Sequence, residues 1–349
     1  MSIRVNVLMG GPSAEHEISL FSGREVMTYL DKARYSIRAV VISHDKEFFF
    51  HDIDAANIPS MKALREPHAA GIFKGPYEAR ESTPVWKGCD LAFLALHGTF
   101  GEDGVVQGFL DTLEIPYTGS GVFASAVAMD KIASKYLYIH NGLDVPPYSI
   151  YGVNNPLVTI DSIIEQHGFP CFCKCPQSGS SRLMGKATDK ESLRKLLHEL
   201  EQSSEDILVE RSIQGIEFSC GVIEYRDGRT EALPPIEIRP VSSDFFDYDA
   251  KYTDGGSHEI VPAPHPKDLL DRIEQISLKA HKILGCRGVS RTDMILENDR
   301  LYVLETNTLP GMTSNSLLPK AFKATGGTYT GLLDILIETA RVKGRAVQA

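Results

Sequence analysis

Residues 289–316 read VSRTDMILENDRLYVLETNTLPGMTSNS. Two apolar, β-favouring runs, 289–296 and 301–307, flank a polar break around Asn298 and Asp299, the pattern of an antiparallel hairpin. Alternate side chains leave a strand on the same face, so Arg291 pairs with Asp293 on one strand and Glu305 with Asn307 on the other. A three-residue loop, 298–300, puts Asp293 opposite Glu305 and lets the oxygen ligands converge. A two-residue loop puts Asp293 opposite Leu304 and turns Glu305 to the other face. The three-residue register is the expectation, and Asp293, Glu305 and Asn307 then form a Mg²⁺ site. Few carboxylates plus an amide oxygen suit a cation that completes its octahedron from phosphates and water. The segment 308–314 that follows is a turn, in which Gly311, expected in a special backbone conformation, brings an N–H to a developing oxyanion with Arg291 facing it. Ser316, at the start of the next helix, is placed to bind a carboxylate. The competing reading is an ordinary half-buried hairpin followed by a Pro-Gly turn.

The rest of the chain sets the context. Its 349 residues are too many for one ordinary core, and 42% hydrophobic with 23% charged residues is the composition of a globular enzyme. No apolar run approaches the roughly 18–20 residues of a membrane helix, and MSIRVNVLMGG has no leader-like apolar stretch, so a cytoplasmic location is expected. A net charge of −10 disfavours nucleic acid and anionic membranes as partners. Of the six cysteines, Cys171, Cys173 and Cys175 alternate and read as small apolar residues on one face of a buried strand rather than as a metal or redox site.

Strand and helix alternate from the start: strand 3–9, a helix from a Ser13 cap to about 30, strand 35–43, an apolar strand 89–96, helix 103–113 and a short segment 115–118. The stretch 48–87 is irregular. Helix 130–141, strand 146–151, helix 160–166, strand 170–175, a small-residue loop 177–181, helix 189–200 and strand 207–211 follow. Long strands from Gly215, a polar loop 240–258, an amphipathic helix 267–284, the hairpin and a closing helix 332–342 complete the chain. The fold class is α/β, becoming α+β towards the C-terminus, with units 1–120, 121–212 and 213–349.

Taken together, R-x-D and E-x-N-T-x-P-G-M-T-S-x-S resemble the C-terminal signature of the D-alanine–D-alanine ligases, members of the ATP-grasp superfamily. The resemblance extends in order through 10–19 (GGPSAEHEIS), 97–104 (HGTFGEDG), 116–121 (PYTGSG), 129–131 (MDK), 179–181 (GSS), Glu210 with Glu217, and 246–252 (FDYDAKY). It covers nearly the whole chain and implies a three-domain ATP-grasp architecture with a wound N-terminal domain. The implied reaction joins two D-alanine molecules at the expense of ATP, through D-alanyl phosphate, for peptidoglycan precursors. Making an amide from a carboxylate requires such activation, because oxide is not a leaving group. The protein must then neutralise triphosphate charge and stabilise a tetrahedral oxyanion.

By the same resemblance Lys131 and Lys174 contact the α/β-phosphates, with Ser181 and the loop N–H groups covering the β/γ-phosphates. Glu210, Arg211 and Ile213 line the adenine pocket, and Glu217 accepts the ribose hydroxyls. Lys251 reaches the γ-phosphate or the acyl phosphate, and its loop excludes water. Glu15 anchors the first D-alanine's ammonium, linked to Ser180 and Tyr252, with His97 lining that pocket and Ser316 holding the second substrate's carboxylate. Tyr252 favours D-alanine over D-lactate as acceptor. Two Mg²⁺ ions, with Mn²⁺ as the alternative, and a homodimer complete what the resemblance implies.

Three positions depart from the family's pattern: Cys175 in place of Pro, Leu183 in place of Gly, and Asn315 in place of His. A left-handed backbone at Leu183 would cost about 1–2 kcal/mol, and a different loop path is the expectation. Three rivals remain. Another ATP-grasp carboxylate–amine or depsipeptide ligase should not keep both Glu15 and the Lys251-Tyr252 pair. A dinucleotide-dependent dehydrogenase lacks its G-x-G-x-x-G spacing here. A nucleotide-binding regulator with a dead site is at odds with the retained Arg291, Asp293, Glu305 and Asn307.

Overall fold

The structure is a computed structural model that describes residues 2–54, 57–178, 183–240 and 257–340. Strand Ile3–Gly10 pairs in parallel with Tyr35–Ile42 on one side and Leu91–Leu94 on the other. The core of all three strands is buried on both faces, which explains their unbroken apolar runs. Strand Phe48–Asp52 adds to this sheet antiparallel to Tyr35–Ile42, and Lys74–Tyr77 pairs antiparallel with Phe48–Asp52 at the edge. The stretch 48–87 thus supplies two strands at the edge of this sheet. Its Phe-rich strand was concealed by the polar, helix-breaking residues around it. The segment around 115–118 contributes only a bridge, Ala92 to Tyr117. The first helix is His16–Tyr29, with Glu15 at the N-cap position. Ser13 does not cap the helix; its hydroxyl accepts from the Glu15 N–H, 3.0 Å away.

A four-stranded antiparallel sheet follows, ordered Tyr148–Gly152, Asp206–Arg211, Cys171–Lys174, Met184–Ala187. Its core includes Cys171, Cys173 and Cys175 packed with Leu193, Leu197 and Val209, so the three thiols serve as small core residues. Asp189 caps the covering helix Lys190–Leu200 through the Ser192 N–H. The C-terminal sheet runs Ser257–Ile260, Ile236–Pro240, Ile216–Glu224, Val289–Glu297, Arg300–Asn307, with Thr230–Ala232 alongside Ile216–Glu224.

Two features join the units. The apolar face of helix Tyr329–Ala340 (Leu332, Leu333, Leu336 and Ile337) shares one core with Val5, Leu91 and Phe93 of the first sheet and with Ile223 and Ile238 of the C-terminal sheet. Helices Val122–Met129 and Lys131–His140 pack against Lys267–Leu284 and the hairpin, burying Ala124, Tyr138, Ala280, Leu284 and Val303 together. Among the described residues, no helix is long and apolar enough to cross a membrane.

Candidate active site

The hairpin turns on two residues, not three. Asn298 (φ 48°) and Asp299 (φ 63°) both lie in the left-handed region, as a tight hairpin turn requires, and Glu297 pairs with Arg300. That register alone would set Asp293 against Leu304. Between Met294–Val303 and Asp293–Glu305 the pairing shifts by one residue. Leu304 is therefore a β-bulge, the extra residue that returns Glu305 to Asp293's face. Convergence holds by a different route from the expected loop, and Arg291 lies opposite Asn307.

Two adjacent cross-strand pairs thus put four polar side chains on one face. Arg291 grips Asp293 through both carboxylate oxygens, Nε to Oδ1 at 2.9 Å and Nη2 to Oδ2 at 2.8 Å. The Ser219 hydroxyl adds a hydrogen bond of 2.6 Å to Oδ1. Ser219 was not singled out in the sequence, although its place across from Asp293 on strand Ile216–Glu224 follows once three strands are aligned. Lys131 Nζ is 3.2 Å from Glu305 and donates to the Ser178 carbonyl at 2.8 Å. Asn307 Oδ1 accepts from the Leu309 N–H at 3.0 Å, pinning the start of the following turn.

On strand Asp206–Arg211 of the central sheet, Glu210 is 2% exposed and lies between two ammonium groups. Lys174 is 2.6 Å from Oε2 and Lys135 is 2.5 Å from Oε1. Burial pushes the carboxyl up, but the two lysines outweigh it and hold it down at about 2. Burial pulls Lys135 below the ordinary lysine value. Lys135 is absent from the sequence-derived set; the signal for it is its position one turn after Lys131. Arg211 directs its guanidinium to Glu297 in a two-pronged pair, 3.2 and 2.7 Å. Ile213 is buried beside that strand. Glu217, across from Ile295, contributes charge to the Lys174 environment.

At the start of the first helix, Glu15 is 8% exposed and its carboxylate lies against the backbone of Gly98. A Cβ at Gly98 would stand 2.6 Å from Glu15 Oε2 and 2.3 Å from Ser13 Oγ, so only glycine lets the two segments meet. His97 Nε2 is 2.9 Å from the Ser22 hydroxyl, and Nδ1 is 3.4 Å from Glu102. Burial, with Glu15 nearby, raises Glu102 above the ordinary carboxylate value against the pull of His97. An open cleft of about 910 Å³ runs from Glu15 and Gly98 to Asp130, Ser178 and Leu183.

Gly311 has no left-handed φ. What excludes a side chain there is Ser316, whose hydroxyl would stand 2.8 Å from a Cβ. Ser316 occupies the N-cap position of helix Leu317–Ala324 without capping it. Its hydroxyl instead meets the Thr313 N–H and hydroxyl at 3.2 and 2.8 Å. Leu183 does take a left-handed conformation, φ 50°; the path of residues 179–182 before it lies outside the described residues. The side chain extends outward, 47% exposed. Ser180, Ser181, Lys251 and Tyr252 lie outside the described residues.

Residues 4–120 match the family described as D-ala D-ala ligase N-terminus, and residues 138–338 match D-ala D-ala ligase C-terminus. The chain belongs to the D-alanine–D-alanine ligase family. The ligase of Leptospira interrogans serogroup Icterohaemorrhagiae serovar copenhageni is 38% identical, over 96% of this chain and 97% of its own. The ligase of Syntrophobacter fumaroxidans is 39% identical, over 97% of each chain. Among solved structures, the D-alanine–D-alanine ligase of Bacillus anthracis complexed with ATP superposes with a TM-score of 0.76 at 33% identity, over 97% of each chain. VanG D-Ala:D-Ser ligase from Enterococcus faecalis reaches a TM-score of 0.84 at 27% identity, covering 97% of this chain and all of that one. The mixed α/β build with its central and C-terminal antiparallel sheets is therefore the ATP-grasp architecture of this ligase family.

Proposed function

We propose that the chain joins two D-alanine molecules to D-alanyl-D-alanine with ATP, supplying peptidoglycan precursors in the cytoplasm as a homodimer. The observation that carries this reading is the bulged hairpin. It sets Asp293 against Glu305 and Arg291 against Asn307, with Lys131 alongside, in a chain of this family.

The site suits Mg²⁺. Asp293, Glu305 and Asn307 supply hard oxygens on one strand face, too few for a closed cage and sufficient for an ion that shares its coordination with phosphates and water. In the structure Arg291 and Lys131 balance the two carboxylates. Mg²⁺ bound there would neutralise phosphate charge. Lys131 and Lys174 bind and orient the triphosphate, Glu210, Arg211 and Ile213 line the base pocket, and Glu217 takes the ribose. Because the Arg211 guanidinium is held by Glu297, its part in that pocket falls to backbone and aliphatic stem. Glu15 and His97 hold the first D-alanine so that its carboxylate oxygen attacks the γ-phosphorus and ADP leaves. The amine of the second D-alanine, its carboxylate at Ser316, then attacks the acyl carbon. Arg291 and the Gly311 N–H stabilise the oxyanion, and phosphate departs. Ser180, Ser181, Lys251 and Tyr252 keep the roles the family resemblance assigns them. The division at 120 and 212 is part of the same proposal.

The test is phosphate release from ATP with D-alanine, L-alanine, D-serine and D-lactate in parallel, each with product analysis. Phosphate release with D-alanine alone, accompanied by dipeptide, is the expected result. Preferential mixed dipeptide with D-serine would instead favour the acceptor named for the Enterococcus neighbour, and preferential depsipeptide with D-lactate would contradict the reading.

A further inference from the structure

Helix Lys131–His140 carries Lys131, Lys135 and Tyr138 at i, i+4 and i+7, a single stripe on its surface. Two of the three touch the hairpin and the third touches the central sheet. Lys131 meets Glu305 at 3.2 Å, Lys135 meets Glu210 at 2.5 Å, and the Tyr138 hydroxyl donates to Thr306 Oγ1 at 2.7 Å. The helix is thus wedged between the central sheet and the hairpin, holding the two in register. Lys131 and Tyr138 touch the hairpin on either side of the Glu305–Thr306 peptide, and Lys135 alone reaches across to Glu210.

Lys135 has no part in the chemistry described so far. Its side chain is 1% exposed, so its ammonium does not reach bulk solvent. An apolar side chain of similar length would fill the slot without the desolvation cost of a buried charge, so packing does not account for a lysine here. Its ammonium occupies one oxygen of Glu210 and leaves the other for Lys174, 2.6 Å away. We propose that Lys135 is a positioning residue for the nucleotide: by fixing Glu210 through Oε1 it aims Oε2 at Lys174, and so holds the Lys174 ammonium where the phosphates bind. This rests on the reading of the cleft as an ATP site.

The test is direct titration of the full-length protein with Mg-ATP in the absence of D-alanine, together with steady-state kinetics, for Lys135→Met and Lys135→Gln. The Met variant keeps the stem and removes both charge and donor. It should bind Mg-ATP roughly ten- to hundred-fold more weakly, the scale on which loss of a charged polar contact counts. KM for ATP should rise more than kcat falls, KM for D-alanine should stay as it was, and the ATP-free unfolding midpoint should be unchanged or higher. The Gln variant, which still donates to Glu210, should fall between Met and wild type. Unchanged ATP affinity in the Met variant overturns the proposal. So does a matched loss for ATP and D-alanine with a lowered unfolding midpoint, the signature of a packing residue. If the Met variant does not fold, the Gln variant decides by the same two criteria. Wild type that binds Mg-ATP but releases no phosphate with D-alanine would sink the ligase reading and leave the Lys135 titration intact.

Discussion

Glu210 shows how a single buried carboxylate draws two lysines from different elements together. Its burial would favour the neutral acid, yet Lys135 and Lys174 hold it down at about 2. A carboxyl depressed in the folded state stabilises the fold at any pH above its unfolded value. That contribution is lost as pH falls through the folded value. Glu210→Gln leaves two lysines facing each other without a counter-charge and should cost about 3–5 kcal/mol at neutral pH. The gap to wild type should narrow as pH drops from about 5 towards 2. Denaturant midpoints of both proteins across that range measure it, and a constant gap would mean that Glu210 is not held ionised by its neighbours. Partners such as these were hard to read in advance: Lys174 and Glu210 were legible from motif context, whereas Lys135 and Ser219 owe their roles to chains that meet only after folding.

The hairpin is the element on which the proposed metal residues depend. Its two left-handed turn residues and the bulge at Leu304 act as one device, because a tight turn without the bulge would direct Glu305 away from Asp293. Asn tolerates a left-handed backbone and a β-branched residue does not. Asn298→Val should therefore destabilise the protein by about 1–2 kcal/mol and weaken Mg²⁺-dependent ATP binding with it. Unfolding midpoints and ATP titrations at varied Mg²⁺ provide the check, and a loss of stability with metal dependence untouched would uncouple the turn from the site. The same logic explains Gly311, where a close approach by Ser316 rather than a left-handed φ excludes a side chain.

Over the whole molecule, the N- and C-terminal parts are one packed body. Beyond the shared core, Arg34 pairs with Asp334 and Glu338, the Tyr35 hydroxyl donates to Asp334 at 2.7 Å, and the Ser314 N–H donates to Glu25 at 2.5 Å. Glu15 on the first helix is thereby held in place relative to Arg291 and Ser316, nearly three hundred residues later in the chain. The central sheet has its own core. Leu333 is fully buried in the shared core, and Leu333→Ala should cost about 2–5 kcal/mol. Amide exchange should then quicken in strands Ile3–Gly10 and Ile216–Glu224 together, while strand Cys171–Lys174 keeps its protection. Loss confined to the last helix would show that the core is not shared in this way.

Local periodicity determined most helices and strands, since a helix stripe or a strand alternation is set by neighbours in the chain. The ordered motifs determined the family, because reacting groups must appear in fixed local settings. Interactions distant in sequence decided the rest. Strand Phe48–Asp52 becomes sheet by pairing with Tyr35–Ile42, and Lys74–Tyr77 by pairing with Phe48–Asp52 in turn. The hairpin sequence offered the proposed metal ligands, but the bulge that aligns Asp293 with Glu305 carries no local signature in Leu304. Register is an agreement between two strands, and a side chain's partner is whatever the fold brings to it.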